Sequence, residues 1–129
     1  MVAEPVWFRT WFAYLIKLDR PLGSDRHRAR YYLGIAANWQ ERFIQHCRGR
    51  GAKMLKFAVE HGRSLQVAAV WQFDSACRAS SFELWGKHSV KNHRKLLSLP
   101  IPAWIGGWPL PQREYRQWRS NQLPQLLIA

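Results

Sequence analysis

Two stretches rich in aromatic and aliphatic residues open the chain's pattern of apolar and polar positions. Trp11–Leu18 reads Trp-Phe-Ala-Tyr-Leu-Ile-Lys-Leu, and Ala29–Ile35 reads Ala-Arg-Tyr-Tyr-Leu-Gly-Ile. Both have the composition of strands. Between them, Asp19-Arg20-Pro21-Leu22-Gly23-Ser24-Asp25 is turn chemistry, so the pair predicts a long antiparallel hairpin. The spacing then changes to that of a helix. Asn38 can cap, Glu41 follows three residues later, and Trp39 and Phe43 share one face while Arg42 and His46 share another. Gly49 and Gly51 end that helix, and Ala52–His61 predicts a second one, closed by Gly62. From Leu65 to Phe73 every odd position is apolar, the period of a half-buried strand. Asp74 or Ser75 then caps a helix expected to reach about His88. In it Ala79, Phe82 and Gly86 make one face and Glu83 pairs with Lys87. A short basic helix is expected around Lys91–Leu97.

Beyond Leu99 the pattern breaks down. Pro100, Pro102, Pro109, Pro111 and Pro124 alternate with Trp104, Trp108 and Trp118, and Gly106-Gly107 loosens the chain further. Gln112–Asn121 can make a helical turn or more, with Arg113, Arg116 and Arg119 three apart. The chain therefore divides into a regular domain, residues 1–99, and a Trp/Pro-rich extension, residues 100–129. The extension either folds back as a hydrophobic clasp on the sheet or offers its tryptophans to bases and its arginines to phosphates; the clasp is the favoured reading. A protein partner docking through the extension is a third possibility.

Composition narrows the function. The 129 residues carry 20 Lys and Arg against 8 Asp and Glu, a formal net charge of +12, and 47% of them are hydrophobic. That is too apolar for a disordered chain and basic enough to expect a polyanionic partner. No apolar run approaches the roughly 18–20 residues needed to cross a bilayer, and the first residues lack the pattern of a signal peptide. A cytoplasmic protein without a membrane partner is expected. Cys47 and Cys77 stand alone, which fits a reducing compartment, and with His46, His88 and His93 they show no zinc-ligand spacing. The positive charge is concentrated. Arg20, Arg26, Arg28, Arg30, Arg42, Arg48, Arg50, Lys53 and Lys56 face only Asp25 and Glu41 within the same stretch. Arginine outnumbers lysine there, as bidentate phosphate contact favours.

The ordered set of motifs is similar to one known family. Ala13-Tyr14-Leu15 in the first strand and Tyr32-Leu33-Gly34 in the second, followed in register by the Asn38 cap and Arg42, resemble the core of the GIY-YIG nucleases. Arg48-Gly49-Arg50-Gly51-Ala52-Lys53 resembles a segment of that family's small stand-alone members, and Lys91-Asn92 resembles a pair found in one of its subgroups. Phe12 and Ala13 replace the glycine and isoleucine of the first motif. The resemblance spans Trp11–Leu97. It implies an α+β fold, a three-stranded antiparallel sheet flanked by helices, and metal-dependent hydrolysis of DNA phosphodiester bonds. It places the metal-binding glutamate at Glu83.

The residue chemistry is compatible with that implication. Glu83 is the lone acid between Asp74 and Glu114, so one carboxylate would hold one Mg²⁺ or Mn²⁺ that keeps most of its waters. Arg42 stays charged and can clamp a phosphate, Tyr14 and Tyr32 can relay or accept a proton, and His46 is a second candidate base. Arg26, Arg28, Arg30, Arg48, Arg50, Lys53, Lys56, Lys87, Lys91 and Asn92 are expected to hold the nucleic-acid backbone, with RNA an alternative to DNA. Taken singly, each of these side chains has an ordinary structural explanation. A non-catalytic nucleic-acid-binding module on the same scaffold is the principal rival.

Overall fold

The computed structural model describes residues 9–23 and 29–122. Strands β1 (Trp11–Leu18) and β2 (Tyr31–Ala36) form the expected hairpin, with Tyr14 opposite Gly34 and Ile16 opposite Tyr32. Strand β3 (Leu65–Phe73) runs antiparallel along the other side of β1. The α+β architecture has four strands rather than the expected three, in the order β2-β1-β3-β4. The additional strand, β4 (Trp108–Pro109), comes from the Trp/Pro-rich extension. Its position explains why a proline is tolerated: at a sheet edge the missing N–H need not join a ladder. The next N–H, from Leu110, donates to the Val70 carbonyl at 2.8 Å.

Helices α1 (Trp39–Cys47), α2 (Lys53–Glu60) and α3 (Ala76–Trp85) complete the fold. Asn38 caps α1 by accepting the Glu41 N–H at 3.1 Å, and Ser75 caps α3 by accepting the Arg78 N–H at 3.2 Å. α3 stops short of the expected His88. It gives way to a π-helical turn over Gly86–Val90, which Lys91 ends at φ 63°. For a residue with a Cβ that conformation costs about 1–2 kcal/mol. The expected basic helix is a five-residue 3₁₀ turn, His93–Leu97.

The sheet is buried on both faces, and β3 shows how. Its odd positions do not line a single face. Ala69 pairs with Leu15 but Val67 pairs with Ile16, so the register shifts by one residue at Ala68. Leu65, Val67 and Val70 pack on one side with Tyr14, Ile16, Trp39, Phe43 and Leu55, whereas Ala69, Trp71 and Phe73 pack on the other with Leu15, Leu33, Phe82 and Ile105. A bulge of one residue sends everything beyond it to the opposite face.

The extension runs along the β3 edge. The Val67 N–H donates to the Trp118 carbonyl at 3.0 Å, and the Leu65 N–H to Ser120 Oγ at 2.9 Å. These bonds draw residues 118–120 into an extended path, which is why Gln112–Asn121 makes only 3₁₀ turns at Gln112–Glu114 and Ser120–Gln122 instead of a longer helix. Trp118 meets Trp39 and Phe43 edge-on, with ring centroids 5.4 and 6.4 Å apart, whereas Trp104 and Trp108 remain exposed. Among the described residues no helix is long and apolar enough to cross a membrane.

Because Trp118 closes the face that also carries Trp39 and Phe43, Trp118→Ala is expected to lower the unfolding free energy by about 3 kcal/mol. Urea denaturation followed by tryptophan fluorescence measures the loss. A change within about 0.5 kcal/mol, typical of a surface substitution, would contradict the packing role.

Candidate active site

Alternation along the hairpin puts Tyr14 and Tyr32 on the same face, diagonally across the β1–β2 ladder, with ring centroids 6.3 Å apart. α1 crosses that face. His46 lies 5.8 Å from the Tyr14 ring and 5.4 Å from the Tyr32 ring, and its Nε2 is 2.8 Å from Tyr14 Oη. His46 is the one buried polar side chain among the described residues. Its other nitrogen, Nδ1, accepts the Ala52 N–H at 3.4 Å. That long bond puts the ring proton on Nε2, so His46 donates to Tyr14. In this tautomer His46 is a positioning group for Tyr14, and Nε2 has no lone pair with which to act as a base.

Two glycines make room for this arrangement. A Cβ on Gly34 would lie 2.6 Å from Tyr14 Oη, and one on Gly51 would fall 1.9 Å from His46 Nδ1. Real Cβ atoms do not approach that closely, so the Tyr14–His46 pair occupies space that any other residue at 34 or 51 would fill. The sequence marks both glycines, but as part of the Tyr32-Leu33-Gly34 motif and as a helix end. Their steric role depends on contacts across strands and helices.

Arg42, one turn before His46 on α1, is held by its own helix: Nη1 donates to Gln45 Oε1 at 2.9 Å. Gln45 was not among the expected site residues, although its i,i+3 spacing from Arg42 was visible. Glu83 arrives on α3, from the opposite side of the sheet, and its carboxylate is 3.5 Å from Lys87 Nζ. Both Arg42 and Glu83 act electrostatically on the tyrosines. Burial raises the Tyr14 phenol, the neighbouring Tyr32 and Glu83 add to the rise, and Arg42 opposes it. Tyr32 is raised by burial and Glu83, again against Arg42. Burial, reinforced by the Arg42 charge, pushes the His46 imidazole down to about 4. At neutral pH the three aromatic side chains are therefore uncharged, set between one cation and one anion.

The remaining expected residues fall into separate places. Arg48, Arg50, Lys53 and Lys56 are exposed around the α1–α2 turn beside His46. Arg30, Lys91 and Asn92 line a different cleft, near the start of β2, together with Lys17, His93 and Arg94, which had not been singled out. Lys87 pairs with Glu83. Arg26 and Arg28 lie outside the described residues. No group of three or more His, Cys, Asp or Glu side chains among the described residues is arranged to hold a metal. Burial pushes the Cys47 thiol up to about 12, which leaves it protonated and unreactive.

The lowered His46 value makes stability depend on pH in a definite direction. The unfolded imidazole titrates near 6.5 and the folded one near 4, so unfolding takes up a proton between those values. The contribution is complete above about pH 6.5 and is lost as pH falls towards 4. Relative to His46→Gln, the wild-type protein is expected to lose about 2–3 kcal/mol of stability between pH 7 and 4.5. Parallel urea titrations of the two proteins test this, and a stability difference that stays constant with pH would refute it.

Compared with known proteins, the chain matches no family model and no curated sequence.

Proposed function

We infer that the chain is a metal-dependent endonuclease that hydrolyses DNA phosphodiester bonds through a site of the GIY-YIG type. One observation carries the reading. Tyr14 from β1, Tyr32 from β2, and Arg42 and His46 from α1 come together on one otherwise apolar sheet face, and the charge of Glu83, on α3 across the sheet, acts on both tyrosines. A buried polar cluster of this kind is costly, and perturbed titratable groups of this sort gather at functional sites.

The donor set suits a hard divalent cation held at a single point. Glu83 is a partly exposed carboxylate whose present partner, Lys87, is a flexible surface side chain. It leaves most of the coordination to water, as Mg²⁺ prefers. Such an ion would supply positive charge against a phosphate and would offset the carboxylate that raises both phenols. The protein's own groups do the rest. Arg42, steadied by Gln45, offers a fixed guanidinium to the non-bridging oxygens of the scissile phosphate. His46 fixes the direction of Tyr14 Oη by donating to it, which leaves the phenol proton free to turn towards a water or the leaving oxygen. Tyr32 is the second hydroxyl within reach of the same volume. The exposed cations at Arg48, Arg50, Lys53 and Lys56 form a surface beside the site for the sugar–phosphate backbone.

A non-catalytic DNA-binding module is the second reading, favoured by the Glu83–Lys87 ion pair, which already satisfies the carboxylate. Supercoiled plasmid separates the two. Nicking is expected with Mg²⁺ or Mn²⁺ and not with chelator. It should fall by about 10³-fold or more in Glu83→Ala and by about 10²–10³-fold in Arg42→Ala. Plasmid binding without nicking, or nicking indifferent to Glu83→Ala, would overturn the nuclease reading.

A further inference from the structure

A basic cleft lies away from Tyr14 and Tyr32, between the start of β2 and the turn that follows α3. Its volume is about 740 Å³. Four cations line it, Lys17, Arg30, Lys91 and Arg94, and Tyr31 and Met54 contribute the large apolar side chains of the lining. No carboxylate of the described residues lines it, and the ion pairs among those residues, Arg20 with Asp19 and Glu83 with Lys87, involve none of these four cations.

The lining is also built to hold its shape. Arg30 is anchored through Nε to the Leu18 carbonyl at 3.0 Å and through Nη2 to the Asp19 carbonyl at 3.1 Å. Lys91 is fixed at φ 63°, the one positive φ among the described non-glycine residues. A conformation that disfavours side chains is retained here at a residue whose charge faces the cleft. Asn92 ties down the following turn, with Oδ1 accepting the Arg94 N–H at 3.1 Å. Positive charges whose backbone is already ordered lose little freedom when an anion arrives.

We propose that this cleft holds an unpaired DNA strand adjoining the Tyr14–Tyr32–Arg42–Glu83 site, so that the preferred substrate carries a single-stranded arm. The identity of the ligand as DNA rests on the nuclease reading. The preference for an unpaired strand rests on the cleft itself. Its volume is in the range of small-ligand pockets, about 300–1,000 Å³, which admits a short run of nucleotides. A duplex keeps its bases paired and stacked on one another, whereas an unpaired strand can offer them to Tyr31 beside the cations. Cations along a backbone path beside an aromatic wall are the means by which proteins hold single strands, and the thioether of Met54 adapts to any base. Tyr31 and Tyr32 are consecutive on β2 and point to opposite faces, so a strand leaving the cleft at Tyr31 passes the sheet edge next to the site.

Fluorescence anisotropy in chelator, with a blunt duplex and the same duplex carrying a single-stranded arm, tests the proposal without any cleavage. The wild-type protein is expected to bind the armed duplex about tenfold more tightly. Lys91→Ala/Arg94→Ala should abolish that preference while changing blunt-duplex affinity by less than about threefold. The salt dependence of armed-duplex binding should fall by about 1.4 in log–log slope, two single-strand phosphate contacts at about 0.7 each. Lys91→Gly separates charge from folding, because glycine accepts a positive φ: its melting temperature should be equal or higher while the preference for the arm declines. Equal affinity for the two duplexes in the wild type, or equal losses on both in the double variant, would overturn the cleft's role. The outcome is independent of catalysis. Arm-selective binding in a protein that never nicks plasmid would sink the nuclease reading alone, and nicking without arm selectivity would sink this proposal alone.

Discussion

The hydrogen bond between His46 Nε2 and Tyr14 Oη ties together the elements that carry the candidate site. It joins α1 to β1, and the opposite nitrogen of the same ring joins α1 to the first turn of α2 through the Ala52 N–H. An imidazole can make both bonds only when neutral, and burial among apolar neighbours keeps it so. The two-sided bonding sets the tautomer, the tautomer sets which atom donates, and the donor sets where the Tyr14 hydroxyl points. Gly34 and Gly51 follow from the same constraint, since each gives up a side chain to let one half of the pair fit. A second buried polar group without partners would cost several kcal/mol, yet no buried side-chain nitrogen or oxygen among the described residues is left unpaired.

The legible parts of the fold were those governed by local chemistry. The hairpin, the Asn38 and Ser75 caps and the first two helices follow from residues within a turn or two of one another, and they formed close to where the pattern put them. The β3 pattern misled because periodicity sees apolar residues without seeing which side covers them. With helices on both faces, Leu65 and Val67 could be apolar for one layer and Trp71 and Phe73 for the other, with a bulge at Ala68 between them. The fourth strand escaped notice for a related reason. Trp108–Pro109 has no strand signal of its own and is extended only because β3 offers it an open edge.

The same division holds for the candidate site. Tyr14, Tyr32, Arg42, His46 and Glu83 could be named because their ordered motifs resemble those of the GIY-YIG nucleases, each at a fixed place within its own element. What the spacing could not convey is the direction of influence between them. His46 looked like a base beside Arg42; buried against Tyr14 and next to that cation, it becomes an uncharged donor. The basic cleft is an extreme case. Lys17 and Arg94 belong to a hairpin and a turn far apart in the chain, and no local pattern connects them. Nor does sequence alone reveal that Lys91 holds a positive φ, since its neighbours form an unremarkable basic run.

Charge and burial together explain why the two halves of the surface differ. A net +12 on 129 residues disfavours the compact state through self-repulsion, and the few carboxylates relieve little of it. Most cations escape the cost by facing water, where screening within about 10 Å blunts repulsion at ordinary salt. Two groups are drawn together instead: the four that line the cleft, of which Arg30, Lys91 and Arg94 are exposed, and Arg42, half-buried beside the tyrosines. Screening is weaker at the half-buried Arg42 than at the exposed cations. Glu83 acts against Arg42: its negative charge raises both neutral phenols and the Arg42 charge lowers them. On the nuclease reading, a cation held by Glu83 would offset that rise.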